Sequence, residues 1–148
     1  MINNLRQEIT QNIITVLKDC DDPRPVLVTS EPFNASELAI TQFPAVLITP
    51  TVENRETITM GAGLIGRRQG QINFTIRGFL RGNELDRQRN DLIERIEEAL
   101  DSDRYRALAA RGVIDSQITD IEIIERQPPL AEIQITFQVR YNYLRGTV

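Results

Sequence analysis

Residues 60–70, MGAGLIGRRQG, carry Gly61, Gly63 and Gly66 in the spacing of a dinucleotide-binding fingerprint. That chemistry needs a strand before the first glycine and a helix opening at the last. The helix N-terminus is what receives the pyrophosphate. A strand pattern does precede Gly61, but after Gly66 comes RRQG and then an alternating run, residues 71–77, that predicts another strand. No helix end is expected there to meet a phosphate. The acidic residue that should follow about twenty positions on falls at Glu84 or Asp86, at a helix start instead of a strand end. The glycines therefore read as a loop, residues 52–70, between two strands of a hairpin. Its Leu64, Ile65, Arg67 and Arg68 are candidate contacts with a partner.

The other chemistry is thin. The chain has no His, which removes Ser–His and Cys–His nucleophilic pairs and His metal ligands. Its one Cys, Cys20, sits in KDCDDP beside three Asp, whose negative charge disfavours a thiolate. Asp19, Asp21 and Asp22 lack calcium-loop spacing and run into Pro23, so they read as a helix stop. Asp91, Glu94, Glu97 and Glu98 alternate with apolar residues at helical spacing and describe a solvated helix face. No catalytic residue, no cofactor site and no metal site is expected.

The elements that must position any site follow from periodicity. Residues 3–18 predict a helix with an apolar stripe through Leu5, Ile9, Ile13 and Leu17, capped by Asn3 or Asn4. Residues 26–29 and 43–50 predict strands, the second bracketed by Pro44 and Pro50. Ile72, Phe74 and Ile76 share one face of a further strand, which Gly78 interrupts as at a bulge. Asn83 opens a second helix through Leu92, Ile96 and Leu100. Ser102 caps a short third one, with Tyr105, Leu108 and Ala109 turned inward. Residues 118–125 and 131–143 close the chain as a hairpin.

The fold class is thus α+β in a single domain, residues 1–148. We expect an antiparallel or mixed sheet of about five to six strands. Two main helices pack on one face, and a long loop or hairpin extends from the body. The chain is long enough to bury roughly 68–70% of its unfolded surface. Its net charge of −4 argues against nucleic acid as the main ligand. Sixteen of its seventeen basic residues are Arg, a side chain suited to planar contacts at interfaces. With no apolar stretch near the ~20 residues that span a bilayer and no signal-peptide pattern at the N-terminus, a soluble cytoplasmic protein is expected.

The last strand is the most regular. At about 3.3 Å per residue, residues 131–143 would extend roughly 40 Å, about the width of the whole domain. One end is therefore expected to overhang and meet a neighbour, around Arg140, Tyr141 and Tyr143. The alternative is a central strand with a bend.

This layout resembles the small tail terminator proteins of tailed bacteriophages and the head–tail joining proteins that share their fold. The residues that carry it are the N-terminal amphipathic helix, FPAVLITP, GQINFTIRGFLRGNELDRQRNDLIERIEEAL and the closing AEIQITFQVRYNY. The resemblance covers nearly the whole chain and is one of pattern. It implies a homohexameric ring in the virion tail near the neck, assembled in the bacterial host cytoplasm. The ring caps the tail tube, stops its polymerisation and offers a surface for head attachment. Implied partners are further copies of the chain, the tail tube protein and a neck or head-completion protein. Genome DNA would pass through the lumen without sequence-specific binding, and no membrane is involved. Another neck, sheath-end or baseplate component is the alternative. A small carboxylate-dependent enzyme ranks below both.

Overall fold

The computed structural model describes residues 4–22, 24–57 and 67–144. Asn4 caps the first helix, its side chain accepting the Arg6 N–H at 2.8 Å. Helix α1 follows as Leu5–Lys18. Ile9, Ile13 and Leu17 have no exposed surface, each stabilising the fold by roughly 1.5–3 kcal/mol. Strand β1 is Leu27–Thr29, β2 Ala45–Thr57 and β3 Arg67–Arg81. Helix α2 is Leu85–Asp101, β4 Val113–Ile124 and β5 Leu130–Leu144.

The five strands form one open sheet in the order β1-β2-β3-β5-β4. β1 lies parallel to β2, and every other pair is antiparallel. The fold is therefore α+β with a mixed five-stranded sheet and two helices, as expected. Both helices cover one face, against Val46, Ile48, Ile72, Phe74, Ile76, Ile133, Ile135, Phe137 and Val139. Among the described residues, the opposite face is largely uncovered. At one end Phe79, Leu47 and Ala45 pack there under the segment holding Ala35 and Phe43. The remainder presents Asn73, Thr75, Thr136 and Gln138, the polar half of each strand's alternation.

Several expectations need correction. Gly78 is not a bulge: it pairs in register with Val46 and Ile133. A Cβ there would lie 2.9 Å from both Ile133 Cγ1 and Leu92 Cδ2, so the glycine lets α2 approach the sheet closely. The bulges fall elsewhere, at Pro50/Val52, Val113/Asp115 and Ile118/Asp120. Helix α2 starts after Glu84, without a side-chain cap. No third α-helix follows, because Ser102 closes α2 by donating from Oγ to the Ala99 carbonyl at 2.7 Å. The chain then turns through Arg106 and Ala107, both at positive φ, into a 3-10 turn at Ala109–Arg111. Gly112 ends that turn at φ +103, where a side chain would strike the Asn142 carbonyl. Tyr105 is exposed instead of inward.

Within the loop expected over residues 52–70, the described residues, 52–57 and 67–70, are strand. β2 and β3 pair without a break from Val52↔Asn73 to Thr57↔Arg68. Leu64 and Ile65 lie outside the described residues. The long last strand does not overhang. β3 matches it along its whole length, from Arg81↔Leu130 to Arg67↔Leu144.

Candidate functional site

The bulge at Pro50/Val52 shifts the alternation of β2 by one residue. Val52 turns to the outer face and is half exposed. Glu53 and Arg55 turn to the helix side, beside Ile72 and Gly70 of β3. Here the apolar row gives way to a polar cluster at the level of the first turn of α1. Arg6 Nε and Nη2 donate to Glu53 Oε1 and Oε2 at 2.6 and 2.8 Å. Arg55 Nε donates to Oε2 at 2.9 Å and the Tyr141 hydroxyl donates to the same oxygen at 3.0 Å. The Arg55 guanidinium also lies over the Tyr143 ring, 4.8 Å from its centroid.

Gly70 makes room for this cluster. The Tyr141 ring lies across it, so that any Cβ at position 70 would fall within the ring's van der Waals envelope. Burial pushes the Glu53 carboxyl up, but hydrogen bonds from Arg6, Tyr141 and Arg55 outweigh it and hold the group below its ordinary value. Burial also pushes the Tyr141 hydroxyl up, and its bond to Glu53 adds to this. The cluster ties α1 to the root of the β2–β3 hairpin. Glu53 is saturated with donors and held ionised, which is the reverse of a carboxyl poised to give up a proton.

A second unusual group is Arg106, which has no exposed surface. Its guanidinium donates to the Leu100 and Asp103 carbonyls at the end of α2. It also sits over the Phe137 ring, 5.6 Å from the centroid. Burial pulls its pKa down, while Asp103 and Asp101 oppose that. The groove beside it, about 320 Å³, runs along Gln7, Gln11 and Thr15 of α1. Cys20 is buried, its thiol donating to the Leu17 carbonyl at 3.3 Å, and burial pushes its pKa up. Among the described residues, no group of three or more Cys, Asp or Glu could hold a metal ion. No described helix is long and apolar enough to cross a membrane.

The third feature is the edge strand β4. It pairs with β5 on one side and with no described strand on the other. Residues 119–123 are all exposed. Asp120 and Glu122 stand on the polar face opposite Thr136 and Gln134. Ile121 and Ile123 stand on the helix side, 39% and 50% exposed.

Of the residues singled out in the sequence, Arg68, Tyr141 and Tyr143 come together at the hairpin root, whereas Arg140 lies on the other face. Arg140 is exposed on the polar face, across from Asp115 of β4. Tyr141 and Tyr143 are buried within the chain, at 0% and 8% exposure, so they are packing residues of the hairpin root and not free surface. Arg68 pairs across from Tyr143 and is half-buried. Arg67 begins β3. Periodicity did not point to Glu53, because an unrecognised bulge decides which face it takes. Its only signal was a carboxylate two residues before an arginine in an alternating stretch. Arg106 carried no signal at all.

No protein-family model matches the chain, and no curated protein sequence does.

Proposed function

We propose that this chain is a structural virion protein, a tail-terminator-like subunit. It forms a closed homohexameric ring on the tail tube of a bacteriophage. The ring stops tube polymerisation and provides the surface to which the neck or head attaches. Its partners are its own copies, the tail tube protein and a neck or head-completion protein, with genome DNA passing through the lumen.

The observation that supports this best is the combination of two assembly features on one small sheet. A paired arm, Val52–Thr57 with Arg68–Asn73, extends the sheet at one end, and β4 leaves a long edge open at the far side. A head-to-tail ring needs two different patches on each subunit, and these are two different patches. The polar chemistry favours the same reading over an enzyme. Its most concentrated cluster, around Glu53, is a closed ion pair network with no unengaged carboxylate oxygen.

The test is to add the purified chain to its cognate tube protein during polymerisation. Tubes should stop short, with ring-shaped density at one end in electron micrographs. Unchanged tube lengths with no density at either end would overturn the proposal.

A further inference from the structure

Edge strands are usually guarded against other chains by charge, and β4 is guarded selectively. Asp120 and Glu122 project from its polar face and make no ion pair or hydrogen bond with a described residue. Two β4 edges brought together would set these carboxylates against one another, which is destabilising for directly opposed like charges. A basic surface meets no such penalty. On the other, helix-side face of the same edge, Ile121 and Ile123 leave apolar area open. The edge therefore rejects a second β4 and accepts a cationic partner with some apolar surface.

The same chain carries such a surface at the root of its hairpin. Arg6, Arg55 and Arg68 lie on the helix side there, and Glu53 is the carboxylate that Arg6 and Arg55 share. Arg68 has no carboxylate partner among the described residues, and its Nε is buried without an acceptor. The aliphatic stems of these arginines supply apolar area.

One molecule cannot join these two surfaces to each other. Arg68 stands opposite Tyr143 on β5, whereas Glu122 stands opposite Gln134. Nine residues of extended strand separate them, about 30 Å along the sheet, far beyond the reach of an arginine and a glutamate. The contact must be made between copies.

We propose that the acidic edge of β4 in one copy docks on the arginine-bearing hairpin root of a second copy. Asp120 and Glu122 pair with Arg55 and Arg68. Each copy has one of each surface, so the contact runs head to tail. Its closure into a ring, and not a filament, rests on the function proposed above.

The experiment is a charge swap in the full chain, read by sedimentation velocity at low and high salt. The carboxylate variant is Glu122→Arg, which leaves Asp120 to pair with Arg55, and the arginine variant is Arg68→Glu. Either alone should raise the dissociation constant of the assembly about 100-fold. The double variant, with one carboxylate and one arginine exchanged, should restore most of it. Wild-type assembly should weaken with salt, as exposed ion pairs are screened. Circular dichroism spectra should stay at wild-type values, and melting should match that of wild type diluted below its association range, since Glu122 is exposed and Arg68 only half-buried. Assembly by either single-side variant at wild-type strength would overturn the proposal, as would a Glu122→Arg/Arg68→Glu double variant that stays dissociated or a wild type that never associates. The tube-capping assay is separate. Capping that survives with charge-insensitive assembly leaves the function standing and removes only this interface, whereas charge-dependent assembly without capping does the opposite.

Discussion

Replacing Gly70 with Ala adds one methyl group at the most crowded position on the hairpin root. That methyl would occupy the place of the Tyr141 ring, so the ring must leave its slot. In β-structure, Gly→Ala alone stabilises by about 0.5–1 kcal/mol through reduced freedom of the unfolded chain. Against this stands the Tyr141 hydroxyl bond to the ionised Glu53, worth about 1.5–3 kcal/mol. Tyr141 is also fully buried. Lifting half of an aromatic side chain, on the order of 100 Å², into water costs about 2.5 kcal/mol more. The losses outweigh the gain by about 3–5 kcal/mol. For a chain of this length that lowers the melting temperature by about 10 °C. The assay is thermal unfolding by circular dichroism, repeated in a Tyr141→Ala background. There the slot is empty, and Gly70→Ala should cost nothing. A Gly70→Ala protein that melts within about 2 °C of the wild type would refute the close approach of this ring to the backbone.

Glu53→Gln should destabilise by about 1–3 kcal/mol at neutral pH, since Arg6, Arg55 and Tyr141 lose a charged acceptor. The folded-state pKa of Glu53 is depressed, so its contribution is complete above the ordinary carboxyl value of about 4.3 and is lost as pH falls through the lower folded value. The stability gap between wild type and variant should therefore shrink in acid; a gap of constant size down to complete protonation would contradict the assignment. Ala107→Gly should stabilise by about 0.5–1 kcal/mol, because Ala107 is exposed and held at φ +54, a region that costs non-glycine residues about 1–2 kcal/mol. Denaturant titration checks it, and a lower midpoint would count against that backbone conformation.

The fold was legible wherever one periodicity held for several turns or alternations. The stripe of α1, the alternation of β5 and the apolar face of α2 predicted their elements and their buried faces. What failed was governed by single residues whose effect depends on distant neighbours. Gly78 carries the same sequence signal whether it makes a bulge or admits Leu92, and only the packing of α2 decides. The extra residue at Thr51 moves Glu53 inward, and no local pattern announces it. Tyr141 and Tyr143 followed the alternation correctly, but their burial depends on Gly70, Glu53 and Arg55 from two other strands. The same long-range pairing removed the expected overhang: β3 is as long as β5, and a single strand's length does not reveal its partner's. Arg106 belongs to a turn without periodicity, where a buried guanidinium replaces the expected third helix by capping the end of α2.

The central claim is that copies of this chain close into a ring. Negative-stain imaging of the purified protein across a concentration series, with the mass measured in parallel by sedimentation, tests it most directly. Closed rings of one size, with a mass of a whole number of subunits and a central opening, are the predicted result. Monomers at every concentration and no ring in assembled tails, or open filaments of indefinite length, would contradict it.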